Sequence, residues 1–321
     1  MHELGAGTSG INPHYGASRN PYDPSKISGG SSSGSAAVVA AGLCPVALGV
    51  DGGGSVRMPA ALCGVVGFKP TFARVPHSGV LPLNWTVGMV GILADTIEDA
   101  FIVYAAISGE LPSHQSTAMP RVYFPLLNSP QLPLSNIKLA KYDEWFNDSS
   151  DDIRAACSDA VDKLEKHYGW KVRDSAELGW DARVALAVYG SFSAKEYIKA
   201  QKIRNRQIQF HEKIFAQADV IVAPTTGVTA YPILDDALNT GELDYINGAA
   251  LVRYSISGNF LGYPAVTIPV GYDKSGLPIG LQFIGRPWSE ATLIHIASAL
   301  QALCISNYRK PEVFYDLLGK R

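Results

Sequence analysis

Apolar runs alternate along the chain with stretches whose apolar positions recur at helical spacing, so strands interleaved with helices are predicted. The run over 35–43 is small and apolar, opened by serines and closed at Gly42. It predicts a buried helix whose N-terminus lies at the loop 31–33, where the helix dipole favours an anion. Short buried strands are predicted over 46–50 and 65–68, bracketing a loop over 51–57. Helical spacing follows over 96–107, then a strand over 137–141 and a helix from about Ser150, whose first turn would hold Asp151 and Asp152. A long charged amphipathic helix is predicted over 191–216, a buried strand over 220–223 ending at Pro224, and a helix over 249–260. Strands over 265–270 and 281–284, a turn at Gly276-Leu277-Pro278 and a closing helix over 290–302 complete a mixed sheet covered by helices. The proline-punctuated stretch 111–135 predicts a subdomain boundary inside one shared sheet.

Composition narrows the class. At 321 residues, 47% hydrophobic and 17% charged, the chain can bury a large core and is not a disordered tail. A formal net charge of −2 with no basic stripe argues against nucleic-acid binding and for a small-molecule partner. Cys44, Cys63, Cys157 and Cys304 lack metal-ligand spacing and read as reduced thiols, which points to an intracellular compartment. The first five residues lack the basic head and apolar run of a leader. The longest apolar stretch, 36–50, is broken by Gly42, Pro45 and Gly49 and is too short to span a bilayer. The densest chemistry falls within the first sixty residues, early for an α/β enzyme, so a missing N-terminal part is expected.

That chemistry centres on two serines, each in a glycine-rich stretch: Gly29-Gly30-Ser31-Ser32-Ser33-Gly34-Ser35 and Asp51-Gly52-Gly53-Gly54-Ser55-Val56-Arg57. Successive glycines let the main chain aim several N–H groups at one point, and a serine beside them suits acyl transfer with an oxyanion hole. The first stretch is also open to two other readings, a flexible linker and a phosphate cradle at a helix start. The linker reading fits poorly with the apolar run that follows, and the cradle lacks a Walker lysine. Asp51 and Arg57 flank the second loop with opposite charges and are expected to pair and brace it. Seven histidines are scattered with no Gly-x-Ser-x-Gly elbow, which disfavours a Ser-His triad.

The two serine stretches, Met58-Pro59 after the second, and the block Gly64-Val65-Val66-Gly67-Phe68-Lys69-Pro70-Thr71 together resemble the amidase signature family. The stretches 219–226, 259–264 and 276–282 match its later blocks. Met1-His2-Glu3-Leu4-Gly5, Arg19-Asn20-Pro21 and Gly285-Arg286-Pro287-Trp288 are most similar to plant fatty acid amide hydrolases. The resemblance implies an α/β amidase-signature fold, a mixed twisted β-sheet core covered by α-helices on both faces, over residues 1–321. It further implies a serine amidohydrolase needing no cofactor or metal, with Ser55 as nucleophile. Ser31, on a cis peptide after Gly30, would relay the proton, supported by Ser32, and the N–H groups of Gly52, Gly53, Gly54 and Ser55 would hold the oxyanion. Met1, Leu4 and Gly30 are implied beside the acyl channel, with Ile11 and Tyr15 as further apolar groups equally explained by core packing. N-acylethanolamines or related fatty acid amides are the implied substrates. Contact with a membrane surface, peripheral to endoplasmic reticulum or plasma membrane, is implied by the resemblance, and a homodimer is a further expectation that no residue pattern specifies.

The family's catalytic lysine lies well upstream of the relay serine, and only thirty residues precede Ser31. Lys26 sits in a Pro/Ser turn and Lys69 in a strand-end block, so neither is expected to serve as the base. Weak or absent activity of this polypeptide is therefore the expectation. Ile92 after Gly91 stands where the family usually has proline, and the stretch between Trp180 and Ser191 is short for a plant fatty acid amide hydrolase. Alternatives are a general amidase, an amidotransferase A-type subunit, or a lipid-amide binder that does no chemistry.

Overall fold

A computed structural model describes residues 1–81, 86–109, 137–174, 194–234, 237–240, 245–304, 306 and 308–317. The chain opens with two small antiparallel hairpins, β1 (Ile11–Asn12) with β2 (Gly16–Ala17) and β3 (Arg19–Asn20) with β4 (Asp23–Ile27). Eight further strands make one sheet: β5 (Val46–Asp51), β6 (Val66–Lys69), β7 (Met89–Ala94), β8 (Lys138–Lys141), β9 (Lys171–Asp174), β10 (Val220–Pro224), β11 (Ala265–Tyr272) and β12 (Pro278–Gly285). Their spatial order is β5-β7-β6-β11-β12-β10-β8-β9. β8 runs parallel to both neighbours and every other pairing is antiparallel, so the sheet is mixed. Strands from both sides of 111–135 join it. That segment, Trp85 and the Trp180–Ser191 stretch lie outside the described residues.

The helices are α1 (Ser33–Ala40), α2 (Arg57–Cys63), α3 (Ile97–Ile107), α4 (Asp143–Phe146), α5 (Asp151–Tyr168), α6 (Ala194–Phe215), α7 (Ala237–Thr240), α8 (Tyr245–Val252), α9 (Ile256–Leu261) and α10 (Glu290–Cys304). Alternating strand residues serve opposite faces of the sheet. Ile92 and Ala94 of β7 pack with α3, α5 and α10, while Leu93 between them packs with α1 and α2. Phe283 and Ile284 of β12 divide in the same way, Ile284 meeting Phe215 of α6 and Leu261 of α9. Both faces are thus covered, as the α/β resemblance implied. Among the described residues no helix is long and apolar enough to cross a membrane.

Most predicted elements are present within a few residues of their expected ends. Thr96 caps α3, its side chain accepting from the Asp99 amide, and Ser150 precedes α5 with Asp151 and Asp152 in the first turn. The Tyr254 ring holds Trp145 at 5.0 Å between centroids, and Arg74 lies 5.4 Å over Trp288, so both tryptophans have packing roles.

Besides β9 and the hairpins β1–β4, which no predicted element covers, three features near the Ser55 loop differ from the sequence reading. The loop 51–57 gives way at Arg57 to α2, whose seven residues are all buried and so show no amphipathic stripe, while Pro59 in the first turn removes only an N–H that would have no helical acceptor. β7 is apolar on both faces and carries Gly91, a pattern that does not distinguish a central strand from a buried helix. The helix predicted over 249–260 is two helices, α8 and α9, with the break bringing Ser255 and Asn259 to the functional site.

α2 lies so close to the sheet that glycine is required beneath it. A Cβ on Gly67 of β6 would sit 2.6 Å from Ala60 Cβ and 3.2 Å from Arg57 Cα, and one on Gly280 of β12 would sit 2.7 Å from Ala61 Cβ. Gly67→Ala and Gly280→Ala are each expected to destabilise the fold by about 1–3 kcal/mol by overpacking. Urea denaturation of the purified variants measures this, and unchanged midpoints would contradict such close packing.

Candidate active site

The first serine stretch forms the entry to α1. The Gly30–Ser31 peptide is cis, as the resemblance implied. Ser31 is buried, its carbonyl accepts the His2 N–H at 2.9 Å, and its Oγ has no hydrogen-bond partner among the described residues. The next residue ties the two stretches together: the Ser32 N–H donates to the Ser55 carbonyl at 3.0 Å. The Ser32 hydroxyl accepts from the Val50 N–H at 3.2 Å and lies 3.4 Å from the Val50 carbonyl, so it splints the start of α1 to β5. The resemblance implied that Ser32 supports the relay by hydrogen bonding; its hydroxyl bonds run to β5.

The second stretch is folded around Asp51, the last residue of β5. Asp51 Oδ1 accepts the Gly54 N–H at 2.7 Å, and Oδ2 accepts the N–H groups of Val56 at 3.1 Å and Arg57 at 3.4 Å. Arg57 then grips the same carboxylate with two side-chain bonds, Nε to Oδ2 at 3.1 Å and Nη2 to Oδ1 at 3.2 Å, with both residues fully buried. The expected brace is therefore a two-pronged buried pair of the strong, charge-assisted kind. Burial alone would raise the Asp51 pKa; the adjacent Arg57 charge and hydrogen bonds outweigh it and bring the carboxyl down to about 2.

Remaining donors of Arg57 are satisfied from far along the chain. Nη1 donates to Gln282 Oε1 at 3.0 Å, and Nη2 donates to the Ser255 carbonyl at 2.9 Å and to Asn259 Oδ1 at 2.6 Å. The Asn259 Nδ2 returns to the Asp51 and Val87 carbonyls, and the Gln282 Nε2 to those of Pro224 and Tyr254. Sequence reading gave Asn259 and Gln282 no role. Their signal was there in principle: each is an uncharged polar side chain inside an otherwise apolar element, and such a group needs an internal partner.

Around Ser55 the loop is open. Ser55 is half-buried, and a Cβ placed on Gly52 or Gly53 would meet nothing within 4 Å. Among the described residues the N–H groups of Gly52, Gly53 and Ser55 have no protein acceptor, whereas that of Gly54 is turned inward to Asp51. Of the four N–H groups that the resemblance implied for the oxyanion, three are open and that of Gly54 is taken by the Asp51 carboxylate.

Other candidates separate by burial. Met1 and Leu4 are 54% and 66% exposed, and Tyr15 is exposed as well, whereas Ile11 is a core residue packed with Met58 and Leu62. Gly30 is buried, with the Gly7 carbonyl 2.7 Å and the Gly10 nitrogen 3.0 Å from where its Cβ would be, so it packs two segments together and offers no open surface for substrate. Lys26 pairs with Asp23 at 3.9 Å. Lys69 is fully buried and donates to the Pro70 carbonyl at 3.1 Å. His211 is buried against Tyr263 and held by the Gln207 carbonyl at 2.9 Å, and His77 lies beside Phe72.

Two open glycine N–H groups thus lie beside a half-buried serine, whose carbonyl is bonded to the residue that follows a second, buried serine on a cis peptide. The Amidase family model matches residues 1–193 and 179–294, and the chain belongs to that family. It is 44% identical to the fatty acid amide hydrolase of Arabidopsis thaliana over 99% of its own length and 58% of that protein's, and 42% identical to the Oryza sativa subsp. indica fatty acid amide hydrolase over 99% and 59%. The chain therefore spans less than two thirds of these relatives. It is also 31% identical to the A-type subunit of glutamyl-tRNA(Gln) amidotransferase from Persephonella marina, covering 94% of the chain and 73% of that protein. Among solved structures, the corresponding glutamyl-tRNA(Gln) amidotransferase chain of Thermotoga maritima superposes with a TM-score of 0.83 at 28% identity, over 98% of this chain and 75% of that one.

Arg57→Met would leave Asp51 buried and unpaired, and is expected to cost about 3–5 kcal/mol in chemical denaturation. Lysine at this position should recover only part, since the three donors of one ammonium cannot serve the five oxygens that Arg57 reaches. A folded Asp51 carboxyl at about 2, against about 3.9 when unfolded, means the unfolded chain binds more protons between those values. Its stabilising contribution is present above pH ~4 and lost as pH falls through ~2; Asp51→Asn should remove that part of the acid-unfolding curve.

Proposed function

We propose that this chain carries the nucleophile and oxyanion site of a hydrolase acting on fatty acid amides such as N-acylethanolamines. Ser55 Oγ attacks the amide carbonyl, its proton passing to Ser31, while the N–H groups of Gly52, Gly53 and Ser55 receive the developing oxyanion. Ser31, as it takes that proton, gives its own hydroxyl proton to the leaving nitrogen while the C–N bond breaks, and water then attacks the Ser55 ester, a proton returning through the same hydroxyl to Ser55 as the fatty acid is released. The bond from the Ser32 N–H to the Ser55 carbonyl carries this reading, because it fixes the stretch bearing one serine against the stretch bearing the other. Exposed Met1 and Leu4, adjoining Ser31 through the His2 N–H, offer an apolar lip to an acyl chain and to a bilayer surface.

Ser31 Oγ has no base hydrogen-bonded to it among the described residues, and losing a general base lowers rate by about 10²–10⁴-fold. Slow turnover is expected on that ground. The similarity to amidotransferase chains supports a smaller amide as a second reading, and acyl chain length separates the two.

A fluorophosphonate probe is expected to label wild-type chain at Ser55 and to leave Ser55→Ala unlabelled, as read by peptide mass spectrometry. With an N-acylethanolamine, free fatty acid should appear at a small fraction of the rate of a longer relative. Full-rate turnover would refute the missing-base reading, and labelling at another residue would refute Ser55 as nucleophile.

A further inference from the structure

Lys69 closes β6 with its side chain fully buried and, among the described residues, no carboxylate within ion-pair distance. Its Nζ lies 3.1 Å from the Pro70 carbonyl and 3.5 Å from Met89 Sδ on β7. Lys69 Cε and Arg57 Nη1 lie 3.6 Å and 3.3 Å from the point where a side chain on Gly258 would begin, so two cationic side chains flank one glycine of α9. The charged groups acting on Lys69 are Arg57 of α2, Asp51 of β5 and Glu290 of α10; Met89, Gly258 and Asn259 bring none.

Asp51 and Arg57 cancel one another. A charged Lys69 beside them repels the guanidinium and draws on the carboxylate whose three main-chain bonds fold the Ser55 loop. We propose that Lys69 is a positioning residue for the Ser55 loop, acting through the Asp51–Arg57 pair: the neutral amine leaves the loop closed on Asp51, and the ammonium loosens it. Burial first, then Arg57, lowers the Lys69 pKa to about 7, against the opposing pull of Asp51 and Glu290. The switch therefore falls near neutral pH. Only its catalytic consequence rests on Ser55 being the nucleophile.

Hydrogen exchange of residues 52–57, corrected for intrinsic rates, tests this in the purified wild-type chain and Lys69→Met at pH about 6 and about 9. The wild type is expected to lose protection at the lower pH by about threefold or more, while Lys69→Met stays level, since methionine fills the same space without charge. Fluorophosphonate labelling should follow the same pattern, its acid limb flattened in the variant. Equal wild-type protection at both pH values, or the same pH dependence in Lys69→Met, overturns the proposal. Absence of labelling in every protein overturns the nucleophile instead, and the exchange data still decide the role of Lys69. Should the variant not fold, the ¹³C titration of wild-type lysine Cε groups decides: a signal titrating near 7 is expected, and none below about pH 9 overturns the proposal. Between about 7 and the ordinary ~10.4 the unfolded chain binds the extra proton, so the Lys69 contribution to stability should rise with pH across that window.

Discussion

The Asp51–Arg57 pair is the constraint on which the site depends. A carboxylate and a guanidinium removed from water are expensive unless every lone pair and N–H finds a partner. Here Asp51 takes the Gly54, Val56 and Arg57 amides together with two arms of the guanidinium, and Arg57 fills its remaining valences with Gln282, Ser255 and Asn259. Meeting those demands bends residues 52–56 into the turn that leaves Gly52, Gly53 and Ser55 facing outward. The shape of the loop is thus a by-product of satisfying a buried charge.

The same pair gathers the sheet. Gln282 comes from β12, Asn259 from α9 and Asp51 from the end of β5, so the bonds of one arginine span more than two hundred positions of sequence. α2 carries this arginine at its first residue and rests on Gly67 and Gly280, where any side chain would hold the helix off the strands. Packing and electrostatics therefore act on one piece of backbone. A small displacement of α2 would move Arg57, and with it the carboxylate that closes the Ser55 loop.

Much of this was readable in advance. Helical spacing marked α3, α5 and α10, apolar runs marked β5, β6 and β10, and glycine-serine clustering marked both serine stretches. α2 and β7 escaped because each is buried on all sides, which erases the periodicity that reveals an element. Gly30 and Ile11 carried the composition of a substrate channel but lie in packed interior, and the Gly54 amide carried the pattern of an oxyanion donor but is claimed by Asp51.

By itself the sequence determined which chemistry the chain can hold: two serines in glycine-rich turns, an acid and a base flanking the second, and family blocks in order. These are local properties, written in residue type and spacing. Only the tertiary structure decided which N–H groups remain open, where Ser32 directs its hydroxyl, and that Asn259, Gln282 and Lys69 surround the same arginine. Those outcomes come from competition among donors and acceptors brought together by folding, and no spacing along the chain encodes which partner wins.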